Sequence, residues 1–504
     1  MKTTAIFRPS TYNIIVKLDG SNSQYMLIHG YTGAIDLANE NVVNLLQPGS
    51  RVTADNEFVS AQTFSTLVQR GYLTQKMASE ERAFCQRWAN LLHAWKKLFS
   101  QRSFMFVVSY DCNFRCPYCY ESTISDKGKQ WNKKTFTKEM VDRAYAAMAE
   151  IESDKAKHVE TITLYGGEPL LAKNREIVEY IVKKGVELGY KFDAISNGYE
   201  IQHFKDLFGE NKIRAIQISV DGPKEIHDKR RYHYQDGGTF DKIMQNIGIA
   251  LDAGILINLR ANIDATNYEY IESLYEQFKA AGYVGNSHFN FSAALVVGDE
   301  NIKPDHGHVP EMEPSRPHSL LTKADFNAKL LRTNVPGQHQ DGWIFEKLYT
   351  AIKHNTRINF SSIYCGVQVG SYIFDPIGDI YNCWETIGKE RHIIGHYRDG
   401  ITWKDEIKHW HNRNVGTTPR CSTCKYMFLC GGGCIAKVLR AYDDFSESYC
   451  HNFPDSFRQV ANQTYQAYMR SQTCKKKSCK KKTTAAQDES SIRPIEQDSV
   501  QAIM

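Results

Sequence analysis

The sequence predicts an α/β protein built around a partial (βα)6 TIM-like barrel, with a small α+β domain before the barrel and a cysteine-rich domain after it. Two observations lead to this prediction. Apolar strand candidates alternate with amphipathic helix candidates from about residue 104, and most of the 13 cysteines stand in clusters. The 504 residues allow two to four domains, and the 42% content of hydrophobic residues is ample for sizeable cores.

The residues before the barrel show two patterns. Short alternating strands in TYNIIVKL and SQYMLIHG, followed by a helical stretch that ends near LVQRGYLT, predict a small α+β domain over residues 1–75. The stretch ASEERAFCQRWANLLHAWKKLF has apolar residues at helical spacing, so we predict a helical linker over residues 76–103. Its Cys85 is interpreted as a core thiol.

Six apolar strand candidates follow over residues 104–330. They are FMFVVSY, TITLYGG, KFDAISN, AIQISVD, ILINLRANI and HFNFSAAL. Amphipathic stretches such as KEMVDRAYAAMAEI lie between most of them, which predicts a parallel sheet. In such a sheet the polar residues at the carboxyl ends of the strands face the active site, so the loop SYDCNFRCPYCYES is expected there.

Composition argues against several classes of partner. The net charge of +5 is slight and comes partly from the tail CKKKSCKKK, so neither nucleic acid nor a membrane is expected to bind. We find no apolar run of signal-peptide or membrane-spanning character, and therefore predict a cytoplasmic protein. In a reducing compartment, clustered cysteines favour metal or redox chemistry over a disulfide framework.

The first cysteine cluster places Cys112, Cys116 and Cys119 within one short loop. A structural zinc site is the main alternative, but such sites usually close with four protein ligands from paired knuckles, and no second pair lies nearby in the sequence. A four-iron cluster takes four thiolates. Three thiolates therefore leave one iron open to another ligand.

The spacing CNFRCPYC resembles the CxxxCxxC motif of the radical S-adenosylmethionine (radical SAM) enzymes, and it follows the first strand as in that family. The resemblance implies that Cys112, Cys116 and Cys119 hold a catalytic 4Fe-4S cluster whose open iron is chelated by S-adenosylmethionine. It also implies that one electron cleaves this cofactor to methionine and a 5′-deoxyadenosyl radical, which takes a hydrogen atom from the substrate.

Further positions match the family's cofactor-binding segments. Gly166, Gly167 and Glu168 in YGGEP resemble the GGE segment that receives the cofactor ammonium group. A polar pair, Ser196 and Asn197, ends the third strand. Ser219 and Asp221 at the fourth strand resemble residues that meet the ribose or carboxylate of the cofactor. Arg260 on the fifth strand is expected to pair with the cofactor carboxylate. Turn formation is the alternative for each alone. With a tyrosine of the cysteine loop, these predicted contacts are Tyr118, Ser196, Asn197, Ser219, Asp221 and Arg260.

The carboxyl-terminal third contains seven more clustered cysteines. Four of them could form a zinc ribbon, but the spacing resembles the SPASM domain, which residues 361–455 would form after a bridging region at 331–360. The resemblance implies two auxiliary 4Fe-4S clusters, and thus three clusters in all. The first auxiliary set is Cys421, Cys424, Cys430 and Cys450, and the second is Cys365, Cys383 and Cys434.

The second auxiliary set has one cysteine fewer than the family's fuller version. One iron is therefore expected to be open, or to take a noncysteine ligand such as Asp375, Asp379 or a histidine. An open iron can capture a substrate thiol as thiolate, because metal binding lowers the thiol pKa. This favours formation of a thioether.

These features together predict a peptide maturase. The amino-terminal domain resembles a winged-helix-like precursor-recognition domain, in which a leader peptide adds a strand to a sheet edge; a stabilising domain without a ligand is the alternative. The expected partners are a ribosomally made precursor peptide bound through its leader and an electron donor such as flavodoxin or ferredoxin. The alternatives are an anaerobic sulfatase maturase that forms formylglycine, and a nonenzymatic iron–sulfur or zinc scaffold that binds peptide.

Residues 456–504 are predicted to form a terminal helix and a tail, disordered from about 472, which contains Cys474 and Cys479.

Overall fold

The computed structural model describes residues 5–20, 23–119, 134–296, 326, 330, 333, 335, 342–450 and 452–479. The strands are β1 (Arg8–Pro9), β2 (Asn13–Lys17), β3 (Tyr25–His29), β4 (Ile35–Ala38), β5 (Leu73–Thr74), β6 (Arg102–Ser109), β7 (His158–Gly166), β8 (Lys191–Ser196), β9 (Ile213–Ser219), β10 (Leu256–Ile263), β11 (Phe289–Leu295), β12 (Ser371–Phe374), β13 (Asp379–Tyr381), β14 (Gly395–His396) and β15 (Thr402–Trp403). The helices are α1 (Glu40–Leu45), α2 (Ala61–Arg70), α3 (Ala78–Phe99), α4 (Lys138–Ile151), α5 (Arg175–Glu187), α6 (Lys224–Arg230), α7 (Phe240–Asp252), α8 (Ile271–Ala280), α9 (Gly342–His354), α10 (Glu406–Asn412), α11 (Met427–Cys430), α12 (Ile435–Tyr442) and α13 (Phe453–Cys479).

The central sheet contains the six strands expected from the apolar runs. β6 to β11 lie side by side in chain order and each neighbouring pair is parallel. Their side chains, with those of the helices between them, form the largest hydrophobic core. The predicted α/β fold with a central parallel sheet is therefore confirmed.

The carboxyl-terminal strands extend this same sheet. β12 pairs in parallel with β6, and β13, β14 and β15 continue from it in antiparallel order. Helix α13 runs to Cys479, beyond residue 472 where the sequence predicts disorder. Residues 480–504 lie outside the described part of the chain. Among the described residues, none of the helices is both long and apolar enough to cross a bilayer.

The amino-terminal residues form a three-stranded antiparallel sheet, β2–β3–β4, and a short ribbon of β1 with β5. This unit packs against the carboxyl-terminal cysteine segment. The Tyr12 hydroxyl lies 3.4 Å from the Ser422 carbonyl oxygen, and a Cβ on Gly30 would lie 2.2 Å from the Lys425 carbonyl oxygen. The linker helix α3 is joined to the same unit by Glu81, whose side chain is fully buried.

Glu81 accepts hydrogen bonds from Arg8 at 2.8 Å, from Ser10 at 2.6 Å, from Thr11 at 3.0 and 3.1 Å and from Tyr31 at 3.1 Å. Burial alone would raise the pKa of this carboxyl, but the hydrogen bonds from Ser10, Thr11 and Arg8 outweigh it and hold the pKa below its usual value. The ionised carboxylate therefore stabilises the fold.

We expect Glu81→Gln to lower the free energy of unfolding at neutral pH by about 3 kcal/mol, because a buried hydrogen-bonded charge is removed. In the wild-type protein this stabilisation is present above the carboxyl's usual pKa and is lost as the pH falls through the lowered folded-state value. Urea unfolding at neutral and acidic pH measures both effects. Glu276→Gln, at an exposed residue, should change little, and equal losses in both variants would contradict this role for Glu81.

Candidate active site

The predicted site residues of the barrel lie at one edge of the sheet. Ser109 at the end of β6 is paired with Gly166 at the end of β7, and Ser219 at the end of β9 is paired with Arg260 in β10. The carboxyl ends of parallel strands meet at one edge. The cysteine loop, the GGE segment and the polar residues after β8 and β9 are therefore neighbours.

Two glycines allow the end of β7 to lie directly against the start of the cysteine loop. Gly166 has a φ of 135°, and a Cβ there would lie 2.2 Å from the Ser109 carbonyl oxygen. A Cβ on Gly167 would lie 2.4 Å from the Asp111 carbonyl oxygen. The Gly167 N–H donates to the Ser109 carbonyl at 2.9 Å and the Glu168 N–H to the Asp111 carbonyl at 2.8 Å, which fixes the approach.

The three cysteines of the loop lie close to one another. The Cys112 N–H donates to the Asp111 carboxylate at 3.0 Å, and the Cys119 N–H donates to the Cys116 carbonyl at 3.2 Å. Burial raises the pKa of Cys112 well above its usual value, and the charges of Glu168, Cys116 and Cys119 raise it further. A bound metal cluster would reverse this by stabilising the thiolates.

Glu168 is buried and its carboxylate is held by donors of this chain. One oxygen accepts from the Leu170 N–H at 2.9 Å and the Ser196 hydroxyl at 2.8 Å, and the other from the Asn197 N–H at 2.5 Å. Burial raises the pKa of Glu168 to about 7 despite these bonds. The carboxylate thus ties the end of β7 to the end of β8.

Tyr118 and Asp221 are brought together as a hydrogen-bonded pair, in which the Tyr118 hydroxyl donates to the buried carboxylate. The other carboxylate oxygen accepts from the Asn262 N–H at 2.9 Å, and Arg230 lies 3.5 Å from the carboxylate. Arg231 donates to the Tyr118 hydroxyl at 2.8 Å. Asp221 is therefore largely engaged by neighbouring side chains and backbone.

Arg231 is a candidate that sequence reasoning missed. Its side chain is buried, and its Nε has no hydrogen-bond partner among the described residues, which is also true of Asn113 Nδ2 in the cysteine loop. Burial raises the pKa of the Cys116 thiol, and the Arg231 charge acts in the opposite direction. The same charge opposes the effect of burial on the pKa of Glu168. A buried guanidinium whose Nε has no partner among the described residues thus lies near both the cysteine loop and the GGE segment, where it suits a carboxylate ligand.

The predicted residue Arg260 has a different environment. It is half-buried on β10, and its Nε donates to the Asn262 side-chain oxygen at 3.0 Å. The adjacent arginines in HDKRRYHY, after the fourth strand, were the available signal for the missed site. The sequence could not show which of its basic residues would be buried.

The four cysteines of the first auxiliary set are neighbours. Burial raises the pKa of Cys430, and the charges of Cys421, Cys450 and Cys424 raise it further. Burial also raises the pKa of Cys421 to about 12, opposed by the charge of the buried Arg413. The eleven cysteines from Cys85 to Cys450 are free thiols.

The cysteines of the second auxiliary set also lie close enough for their charges to add to the effect of burial on the pKa of Cys383. Burial raises the pKa of Cys383, and the charges of Glu385, Cys434 and Cys365 raise it further. In the described part of the chain, no three ligand-type side chains converge tightly enough to hold a single metal ion. Thiolates of a four-iron cluster bind different irons, so they do not need to converge on one point.

The CGGGC segment explains how the two sets are assembled. Gly431, Gly432 and Gly433 all have positive φ, between 73° and 87°. A Cβ on Gly431 would lie 2.3 Å from the Ile363 carbonyl oxygen, and one on Gly433 would lie 2.2 Å from the Tyr449 carbonyl oxygen. These close approaches bring the chain segments before Cys365 and Cys450 against the glycines.

The carboxylates suggested by the sequence as noncysteine ligands have other partners. The Asp375 carboxylate accepts from three backbone N–H groups at 2.8 to 2.9 Å and from the Tyr110 hydroxyl at 2.8 Å, while Asp379 lies 2.6 Å from His396. Burial raises the pKa of Asp375 to about 7. In addition to burial, the charge of Glu385 raises the pKa of all three cysteines of the second set. Its carboxylate pairs with Arg440 at 3.1 Å.

Comparison with known proteins identifies the barrel. Residues 106–278 match the model of the Radical SAM superfamily. The chain contains a radical SAM domain and is an enzyme. The predicted family resemblance is confirmed, and the matched region includes the cysteine loop, the GGE segment and the buried arginine.

The relatives of this radical SAM enzyme include two sulfatase-maturating enzymes. The Cysteine-type anaerobic sulfatase-maturating enzyme of Clostridium novyi (strain NT) is 23% identical over 71% of this chain and 95% of its own length. The Serine-type anaerobic sulfatase-maturating enzyme of Bacteroides thetaiotaomicron is 25% identical over 64% of this chain and 80% of its own. The solved structure of native anSMEcpe with bound AdoMet and Cp18Cys peptide is similar in fold, with a TM-score of 0.52 and 16% identity over 73% of this chain and 99% of that one.

We expect Glu168→Gln in the radical SAM domain to weaken S-adenosylmethionine binding by about 1–3 kcal/mol, in the range for hydrogen bonds to a charged group. The amide would also present an NH2 group to donors that now bond a carboxylate. Calorimetric titration of the cofactor measures the effect, and the iron content should not change. The matched control is Glu187→Gln at the end of α5. Unchanged affinity in the Glu168 variant would place this residue outside cofactor binding.

Proposed function

We propose that this radical SAM enzyme is a maturase of a ribosomally made peptide and that it forms a thioether or another crosslink. The observation that carries the proposal is a groove on the amino-terminal domain, suited to an extended peptide, in a chain that also contains the radical SAM site. The similarity to maturating enzymes supports the modification of a polypeptide. The amino-terminal domain acts as a winged-helix-like recognition domain, and the carboxyl-terminal cysteine segment is a SPASM domain.

The cofactors of the proposed enzyme are S-adenosylmethionine and three 4Fe-4S clusters. Mutually close free thiols and the unpartnered buried Nε of Arg231 fit these groups. S-adenosylmethionine and one 4Fe-4S cluster, when bound at the first cysteine loop, would supply a 5′-deoxyadenosyl radical. Cys112, Cys116 and Cys119 hold the catalytic cluster, and the two SPASM sets hold the auxiliary clusters. A flavodoxin or ferredoxin supplies the electron.

The side chains of the barrel edge have distinct tasks in this proposal. The Arg231 guanidinium binds the cofactor carboxylate, and Glu168 positions the turns after β7 and β8 while its remaining acceptor capacity faces the cofactor ammonium group. Asp221 orients Tyr118 and Arg230. Because Glu168 and Asp221 are buried, their charges act in a water-poor site and are weakly screened.

The groove has a volume of about 660 Å³ and runs along β4. It lies between that strand, the residues around the start of α2, the end of α9 and the middle of α13, where Tyr465 and Tyr468 form part of its wall. Within the described sheet β4 pairs only with β3. The Ile35 carbonyl of β4 accepts from the Arg70 side chain at 3.0 Å, so an added strand would pair beyond Ile35, around Leu37. Leu37 and Phe58 are exposed along the groove and offer apolar contacts. These features suit a leader peptide bound by β-augmentation.

We expect Leu37→Glu to weaken precursor binding at least about tenfold, because a charge would be buried where an apolar side chain packs. Fluorescence polarisation with peptides encoded by short reading frames beside this gene measures the affinity. Leu188→Glu introduces the same charge at another exposed leucine and should have no effect. Equal affinities in the wild-type protein and the Leu37 variant would remove the groove from the proposal.

Sulfatase maturation is the second candidate, favoured by the two curated relatives. The products distinguish the candidates. A thioether retains the substrate sulfur and removes two hydrogen atoms, whereas conversion of cysteine to formylglycine removes the sulfur. Mass spectrometry of a cysteine-containing precursor after anaerobic incubation with reductant and cofactor tests the proposal, and loss of sulfur would favour the second candidate.

A further inference from the structure

The linker helix α3 has one face that packs against the protein and one that does not. Ala89 and His93 are buried, the His93 ring lies 2.7 Å from the His411 carbonyl oxygen, and a Cβ on Gly416 would lie 2.9 Å from the Ala89 side chain. Asn90 pairs with Asn414 at 3.1 Å. The helix is thus held in a fixed orientation against the SPASM segment.

Large apolar side chains form a stripe on the outer side of this helix. Their spacings of three, four, three and one residues keep them within about a third of the helix circumference. The stripe consists of Trp88, Leu91, Trp95, Leu98 and Phe99, with exposed fractions of 37% to 65%. The rings of Trp95 and Phe99 are in contact, with centroids 5.0 Å apart. A contiguous patch of this kind is typical of an interaction surface.

The charges beside the stripe are basic. The stretch RWANLLHAWKKLF contains Arg87, Lys96 and Lys97 and no acidic residue. Lys347 on α9 has a pKa that is lowered by burial and then by the nearby Lys96 charge. It lies over the ring of the partly exposed Trp343, 5.1 Å from the centroid.

We propose that the outer face of α3 docks this enzyme on an anionic lipid surface. Tryptophan, leucine and phenylalanine on one face with lysine and arginine beside it is the pattern of a helix that lies in the membrane interface. The basic residues complement anionic headgroups. The basic residues beside the stripe would repel one another if two copies met across this face, which favours lipid over a second copy. The sequence alone predicted no membrane partner, and this inference departs from that prediction and does not depend on the proposed peptide chemistry.

Vesicle sedimentation with the full chain tests the proposal. At low salt we expect the protein to sediment with vesicles made of equal amounts of phosphatidylglycerol and phosphatidylcholine, and much less with phosphatidylcholine alone. Trp95→Ser with Leu98→Ser, and separately Lys96→Glu with Lys97→Glu, should each reduce the bound fraction about tenfold or more. Trp403→Ser, at another exposed tryptophan, is the matched control and should bind as the wild type does.

Circular dichroism and iron content show whether each variant retains its fold, so lost binding by a folded variant supports the proposal. Failure of the wild-type protein to bind the anionic vesicles would overturn it, as would equal binding by the stripe variant. Analytical ultracentrifugation without lipid measures whether the wild-type protein and the stripe variant are monomers or dimers. A dimer that dissociates in the stripe variant would assign this face to a second copy of the chain and overturn lipid docking.

Discussion

Replacing Cys112, Cys116 and Cys119 together by alanine is expected to abolish cleavage of S-adenosylmethionine. The anaerobically reconstituted wild-type enzyme should hold about twelve irons, given three four-iron clusters, and the triple variant about eight. The loop thiols lie beside Glu168, whereas the cysteines of the two auxiliary sets raise the pKa values of their own set members. The auxiliary clusters should therefore survive.

Iron analysis and chromatographic assay of 5′-deoxyadenosine measure these two effects. Cys85→Ala is the control for loss of a thiol outside the three sets. Cys85 is buried with Tyr12 and Ala89 in an apolar cluster that also contains Cys421, so the variant tests whether a substitution beside an auxiliary set is tolerated. It should keep both the iron and the cleavage activity. Loss of all iron in the triple variant, or of none, would contradict the division of the cysteines into one catalytic and two auxiliary sets.

Replacing Arg231 by methionine is expected to weaken S-adenosylmethionine binding about tenfold to a hundredfold, because the variant would lack the guanidinium that we propose binds the cofactor carboxylate. Arg231→Lys should recover only part of the affinity, since an ammonium group lacks the planar pair of donors. Calorimetric titration measures binding, and unchanged iron content would show that the cluster loop is intact.

Arg260→Met is the informative comparison, because the sequence assigned the carboxylate to Arg260. We expect this variant to bind the cofactor with nearly wild-type affinity. A large loss of cofactor affinity in the Arg260 variant, with little change on replacing Arg231, would show that Arg260 binds the cofactor carboxylate, as the sequence predicted.

The sequence predicted the six barrel strands because each one is a short apolar run bounded by turn residues. It did not predict that β12 would pair with β6, since that pairing joins residues more than 260 positions apart and leaves no local pattern. The same limit applies to the amino-terminal domain. Alternating strands indicated its sheet, but not its contact with Lys425 in the cysteine segment.

Motif spacing located the site residues better than it located their partners. Glu168 was predicted as a cofactor contact, yet its three donors come from Leu170, Ser196 and Asn197, two of them at least 28 residues away. Arg231 was missed because burial of a charged residue depends on tertiary packing. The sequence predicted α3 as a linker helix but not the exposure of its apolar stripe, since periodicity shows that a helix has an apolar face but not which face is covered.

The measurement that tests the central claim most directly is the transfer of hydrogen from peptide to cofactor. A precursor deuterated at its carbon-bound positions would be incubated anaerobically with the enzyme, reductant and S-adenosylmethionine, and the 5′-deoxyadenosine would be weighed by mass spectrometry. A radical SAM peptide maturase should yield 5′-deoxyadenosine that carries deuterium, in parallel with modified peptide. Modified peptide accompanied only by unlabelled 5′-deoxyadenosine would contradict hydrogen abstraction from the peptide.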